Sequence, residues 1–200
     1  LDDTVDGSWT VDRRQLVVTA GSGHSTYGDA IGKQPGVSTD GLVNGDEAAK
    51  VLAGLATGFV DGKHAITIDG TTHAGNYGVV VTGDLGQGSN YVIAKTQDGK
   101  WTVDRRGITV TVGSGSSVYG DGVQNMPGLT ASGLVNGDSA SKVLAGMGTA
   151  FTANGKSTIT IDGKTNAGQY GVLSTGYLDN FSNYVIDKIV DGSWTVEQRK

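Results

Sequence analysis

Short apolar, β-branched runs recur along this chain of 200 residues, and each is cut off by a polar turn. Leu16-Val17-Val18-Thr19 is one, and Ile108-Thr109-Val110-Thr111-Val112 is another. The second alternates apolar and threonine positions with a period of two, which predicts a strand with one face buried. Ile66-Thr67-Ile68, Gly78-Val79-Val80-Val81-Thr82 and Tyr91-Val92-Ile93 predict further strands. Asp61-Gly62, Asp69-Gly70, Asp98-Gly99, Asn154-Gly155, Asp162-Gly163 and Asp191-Gly192 supply turns between them. Tyr91 through Trp101 reads as a hairpin whose return strand carries the tryptophan. One stretch is helical instead: Asp46 as N-cap, Glu47 through Ala53, and Gly54 as the stop, repeated from Asp138 to Gly146. Two turns of helix do not survive alone. The pattern therefore lays Val51 and Leu52 on a sheet.

The pattern repeats. Trp9-Thr10-Val11-Asp12-Arg13-Arg14 recurs 92 residues later as Trp101 through Arg106. It recurs again, 93 residues further on, as Trp194-Thr195-Val196-Glu197-Gln198-Arg199. Residues 9–59 and 101–151 are identical at 31 of 51 positions. An interval of this length exceeds that of solenoid repeats and fits tandem domains. The expected division is 1–14 as the terminal strand of a preceding repeat, 15–106 as repeat domain 1, and 107–200 as repeat domain 2. On this reading the chain is a piece of a longer array. The junction at Asp104-Arg105-Arg106-Gly107 has no flexible Gly/Ser/Pro linker, which predicts an elongated, semi-rigid pair.

The expected fold class is mostly β (α+β). It consists of two tandem β-grasp-like domains, each a β-sheet with one short helix. An immunoglobulin-like β-sandwich is the alternative.

Composition narrows the function. Fifteen basic against twenty acidic residues leave a net charge of −5, which disfavours nucleic acid and anionic membranes as partners. The chain has no cysteine, so disulfides, thiolate metal sites and cysteine nucleophiles are excluded. No apolar run approaches the length of a membrane helix, so no membrane insertion is expected. Glycine is abundant at 34 residues, without a collagen period.

Candidate chemistry is sparse. His24, His64 and His73 align with Ser116, Ser157 and Asn166, so no histidine recurs. A site built from them would exist in one copy only. Asp29, Asp46, Asp121 and Asp138 follow turn glycines, but no calcium-loop spacing surrounds them. Asp12 and Asp104 at the copy boundaries are the remaining calcium candidates. Glu47 and Glu197 are the only glutamates and align with Ser139 and Asp104, so no carboxylate pair recurs. No nucleophile elbow or phosphate loop is present. Trp9, Trp101 and Trp194 occupy one equivalent position and read as core or junction anchors. A lysine–asparagine cross-link would need a buried lysine touching an asparagine and an acid. No catalytic residue, cofactor or metal ligand is assigned.

The ordered set Tyr27-Gly28-Asp29, Gly41-Leu42-Val43-Asn44-Gly45-Asp46, Ala74-Gly75-Asn76-Tyr77 and Ser89-Asn90-Tyr91-Val92-Ile93 recurs in the second copy. It resembles the MBG and YDG-type repeats of filamentous-haemagglutinin-like bacterial adhesins, which are two-partner secretion exoproteins. This chain departs from such repeats in carrying Trp where they more often carry Leu before Thr-Val. The resemblance implies a non-enzymatic stalk or spacer module, secreted or on the bacterial surface, supporting adhesion or biofilm formation. Its expected partners are neighbouring repeats of the same chain. A module that itself binds host or matrix glycan or protein is the alternative. An exposed aromatic cluster common to both copies would favour that alternative.

Overall fold

The computed structural model describes residues 6–179 and 182–200. The chain forms two compact units. The first comprises residues 1–25, 30–69 and 75–103. The second comprises residues 104–200 together with Thr26–Asp29 and Gly70–Ala74.

In the first half of the chain the strands are β1 (Arg14–Ala20), β2 (Gly23–Thr26), β3 (Val37–Asp40), β4 (Leu55–Asp61), β5 (His64–Ile66), β6 (Gly75–Gly83), β7 (Tyr91–Gln97) and β8 (Gly99–Asp104). They form a three-stranded sheet, β3-β1-β7, and a five-stranded sheet, β2-β8-β6-β4-β5. The second half repeats them as β9 (Arg106–Val112), β10 (Gly115–Val118), β11 (Leu129–Ser132), β12 (Met147–Thr152), β13 (Thr158–Ile159), β14 (Gly168–Gly176), β15 (Tyr184–Val190) and β16 (Gly192–Glu197). Their sheets are β11-β9-β15 and β10-β16-β14-β12-β13. The first strand of each small sheet pairs parallel with the seventh (β1 with β7, β9 with β15).

The mostly β expectation holds. Each half carries two sheets rather than one sheet gripping a helix, which is the sandwich alternative. In the second unit Val112 and Leu129 of the small sheet pack against Phe151, Val172, Trp194 and Val196 of the large one. In the first, Leu16, Val18 and Tyr91 meet Leu55 and Val81 in the same way. Period-two alternation is thus read out directly: one face of each sheet enters the core.

Two local expectations are corrected. The helices are single turns, α1 (Ala48–Val51) and α2 (Ala140–Val143), and neither has a side-chain cap. Asp46 is not the N-cap, because its carboxylate accepts the Tyr91 hydroxyl at 2.5 Å instead. The apolar anchor survives: Leu52, just past α1, is buried and packs with half-buried Val51 in the core. Nor do Tyr91 through Trp101 form a hairpin. β7 joins the small sheet and β8 the large one, so the chain crosses between layers at Asp98. Gly99 lies directly against the carbonyls of Ala20 and Gly21, leaving no room for a side chain at the crossing.

Residues 6–13 carry no strand, although their counterparts do. Trp9 is 92% exposed and Val11 85%, against 3% for Trp101 and 5% for Trp194. The core reading of the tryptophan position therefore holds for two of its three occurrences.

Candidate interaction surface

The recurrent motifs converge on two small hydrogen-bonded devices. The first is built on the serine–asparagine–tyrosine turn. Ser89 Oγ accepts the Tyr91 backbone N–H at 3.2 Å, and Ser182 Oγ accepts that of Tyr184 at 3.1 Å. Each turn starts a strand and aims its phenol at the Asn-Gly-Asp turn before the helix. Asn44 and Gly45 have φ of 58° and 75° there, a left-handed pair that suits Asn-Gly. In the first unit the Val43 N–H donates to the Tyr91 hydroxyl at 3.2 Å, and that hydroxyl donates to Asp46. In the second unit the Val135 N–H donates to Tyr184 at 3.1 Å, and Tyr184 donates to Asp138 at 2.7 Å.

The second device is an arginine clamp. Arg106 Nε donates to the Tyr27 carbonyl at 2.7 Å, and its Nη2 pairs with Asp29. Arg199 does the same to Tyr119 at 2.9 Å and to Asp121 at 2.5 Å. The intervening glycines are left-handed, with φ of 92° at Gly28 and 100° at Gly120. A Cβ there would stand 3.0 Å from the arginine Nε. Glycine is needed both for the turn and for the approach of the guanidinium. Sequence reasoning missed this pairing. The signal was present: Tyr-Gly-Asp and the arginine that follows the tryptophan strand recur together.

Within the second unit the two devices meet. The Tyr27 hydroxyl donates to Asp138 at 3.0 Å, beside the Tyr184 hydroxyl. The Tyr27 ring stands edge-on to Tyr184, centroids 5.5 Å apart, and the His73 ring stacks on it at 6.4 Å. Asn183 Oδ1 accepts the Ala74 N–H at 3.0 Å, and Asn136 Nδ2 donates to the Gly70 carbonyl at 2.9 Å. Burial raises the Tyr184 phenol to about 12, and the adjacent Asp138 carboxylate works in the same direction. The Tyr91 phenol is raised chiefly by its hydrogen bond to Asp46.

In the first unit the equivalent residues border an open cavity of about 440 Å³. Asn44, Asp46, Asn90 and Tyr91 line it, together with Val11 and Arg14. Asp46 and Asn90 are exposed, whereas Asp138 and Asn183 are half-buried.

The other candidates disperse. His24 and His64 sit on β2 and β5, the opposite edges of one five-stranded sheet. Four strand spacings put them roughly 19 Å apart. His73 serves the Tyr27 cluster. Asp29 and Asp121 face arginines, and Asp46 and Asp138 face phenols. Among the described residues no group of three or more His, Asp or Glu is placed to hold a metal ion. All lysines are exposed, so the buried lysine of a cross-link is missing. No exposed aromatic recurs in both copies among the described residues: Tyr119 is 44% exposed while its counterpart Tyr27 is 4%, and Tyr177 replaces Asp84.

Buried Trp101 and Trp194 donate from Nε1 to Ser25 and Ser117, each at 3.1 Å. They stand edge-on to Phe59 and Phe151 at 5.3 and 5.2 Å.

No protein-family profile and no curated protein matches the chain. Among solved structures it is similar to an I-band fragment of titin, I67–I69, at 7% identity and a TM-score of 0.40. That alignment covers 94% of this chain and 64% of the titin fragment. A Dscam structure gives 7% identity and 0.40 over 90% of this chain and 44% of that one. The three N-terminal domains of the bacteriophage RB49 outer capsid protein Hoc give 14% identity and 0.28, over 93% and 71%. These scores are too low to add weight, so the fold assignment rests on the strands themselves: a tandem pair of β-rich units.

Proposed function

We propose that this chain is a stalk or spacer segment of a large bacterial surface protein of the filamentous-haemagglutinin type. It acts outside the cell, without enzymatic activity, holding other parts of its parent in place for adhesion or biofilm formation. One observation carries the reading. In each half, the first and last strands are both flanked on two sides. β1 lies between β3 and β7, and β8 between β2 and β6; β9 and β16 are enclosed likewise. Tension enters a tandem array through these strands. An edge strand can be peeled away one hydrogen bond at a time, whereas an enclosed strand pulled along its axis must break two ladders together. β9 alone is held by ten residue pairs, six to β15 and four to β11. A single residue, Arg105, separates β8 from β9, which leaves little slack in the connection.

Support also comes from three of the ordered motifs that carry the MBG/YDG resemblance: Tyr27-Gly28-Asp29 forms the clamp, and Asn44-Gly45-Asp46 and Ser89-Asn90-Tyr91 form the turns and the phenol–carboxylate pair. A glycan- or protein-binding module is the competing reading. It lacks a recurrent exposed aromatic site among the described residues. The test is a glycan, mucin and matrix-protein array probed with the folded chain, with and without calcium. The stalk reading expects no specific binding. Saturable binding to a defined ligand by both copies would replace it with the adhesive reading.

A further inference from the structure

Strand β15 ends its three-stranded sheet: β9 lies along one side, and among the described residues no strand lies along the other. It is more apolar than its counterpart β7. Ile189 and Val190 stand where β7 has Thr96 and Gln97, and they are 43% and 39% exposed. Tyr177, which replaces Asp84 and is 87% exposed, lines the same open cavity of about 580 Å³ as Ile189. Met147, Leu178 and Ile186 continue its apolar wall. The pattern of burial is the same, residue for residue, along β7 and β15, in a copy that another follows and in a copy that another precedes. The open edge therefore belongs to the repeat itself.

The two faces of β15 follow from its register on β9. Ile186 lies beside Ile108 and Ile189 beside Val110, both buried, so these isoleucines take the core face. Val185, Lys188 and Val190 lie beside Gly107, Thr109 and Thr111 and take the outer face. The register shifts at Asp187, an extra residue whose carboxylate rests close against Gly107 on that outer face. The outer positions thus read Val-Asp-Lys-Val and the core-facing pair Ile-Ile. This order is self-complementary. An antiparallel strand of the same sequence, turned about a two-fold axis at its middle, sets Asp187 opposite Lys188, Val185 opposite Val190 and Ile186 opposite Ile189. Every pair joins residues of one face, as an antiparallel ladder requires. Bulge also meets bulge, so the irregularity does not put the ladder out of step.

We propose that β15 is a pairing edge for β15 of a second copy of this chain, in a two-fold dimer where Asp187 of each copy meets Lys188 of the other. Charge complementarity selects this occupant. Opposite charges directly across an antiparallel pair stabilise it, and like charges oppose it. β7 fails the same test. Ala94 stands at the aspartate position, so Lys95 would meet no acid, and Thr96 and Gln97 would face Ile93 and Val92. Lysines and bulges on an edge ordinarily keep sheets apart, and β7 keeps that protection. On β15 the aspartate lifts it for a strand with the same charge order. Pairing also withdraws Ile189 and Val190 from water. The contact uses one surface of both copies, so it closes at two and does not continue into a filament. This inference stands on the edge of the second unit and does not rest on the stalk reading.

Sedimentation of the full chain tests it, over a concentration series up to millimolar because so small an interface is reversible. The wild type is expected to reach a dimer. Asp187→Lys alone, or Lys188→Asp alone, sets like charges opposite each other twice per dimer. Either should raise the dissociation constant by about tenfold or more. An equimolar mixture of the two variants restores both opposite-charge pairs and should return a heterodimer within about threefold of the wild-type constant. Val190→Gln, which installs the β7 residue, leaves the bulge untouched. It should weaken the dimer severalfold while the circular dichroism stays that of the wild type. Lys95→Asp on β7 should leave the dimer unchanged. A chain that stays monomeric throughout the series overturns the proposal. So does a dimer indifferent to the charge variants or to Val190→Gln, a mixture that remains monomeric, or a dimer lost on Lys95→Asp.

Discussion

The tryptophan hexapeptide offers an experiment with its own control, since one side chain occurs in two cores and once in solvent. Trp→Ala at position 101 or 194 removes a ring that is 3% or 5% exposed. Burial of about 200 Å² at about 25 cal/mol per Å² gives roughly 5 kcal/mol as an upper figure. The edge-on phenylalanine contact and the serine hydrogen bond each account for about 1 kcal/mol and partly overlap with it. Large-to-small aromatic substitutions in cores cost about 3–5 kcal/mol, so a loss of about 4 kcal/mol is expected at either position. Trp9→Ala at 92% exposure should stay within about 0.5 kcal/mol. Urea unfolding of monomeric protein, followed by far-ultraviolet circular dichroism, reads all three. With a slope of about 2 kcal/mol per molar, the affected unit should lose about 2 M in midpoint. The reasoning is refuted if Trp9→Ala costs as much as Trp194→Ala, or if either buried substitution costs less than 1 kcal/mol.

Three further substitutions or titrations follow from the site. Gly115→Ala would place a methyl 2.5 Å from the Trp194 ring and should cost about 1–3 kcal/mol by thermal melting, whereas Gly122→Ala, with open space around it, should be near neutral. Arg106→Lys keeps the charge but loses the paired donors to the Tyr27 carbonyl and Asp29, and about 1 kcal/mol of stability should go with them in the same melts. The Tyr184 phenol is raised from 10 to about 12, chiefly by burial. Between these values the unfolded chain sheds a proton that the folded one retains. The stability it contributes is therefore complete below about pH 10 and is lost as pH rises through 12. Ultraviolet titration of wild type against Tyr184→Phe should show the last-ionising phenol missing in the variant.

The strands were legible because alternation is a local property: Ile108 through Val112 reads apolar, polar, apolar, and the structure buries Ile108, Val110 and Val112. The two-copy pattern was legible for the same reason, since it needs only identity at an interval. What escaped were decisions made by distant partners. Asp46 has the sequence context of a helix cap, but a phenol 45 residues away claims its carboxylate. Asp98-Gly99 has the sequence of a hairpin turn, but the small sheet pairs β7 with β1, and the close approach of Gly99 to Gly21 turns the chain into the other layer. At the tyrosine–carboxylate surface, the residues were visible as motifs while their pairing was not. Tyr27 and Asp138 lie 111 positions apart, and Arg106 and Asp29 77 apart. Trp9 shows the reverse: its sequence is that of a core residue, yet its side chain is exposed.

The central claim is mechanical, so stretching a single molecule by its two ends tests it most directly. The enclosed first and last strands predict two discrete force peaks, one per unit. Each should release the chain of one repeat, about 92 residues or roughly 310 Å of contour less the folded length. Peaks well above those of a chain pulled through an edge strand would support a load-bearing role. Smooth extension without peaks, or unfolding at forces typical of peeling, would contradict it.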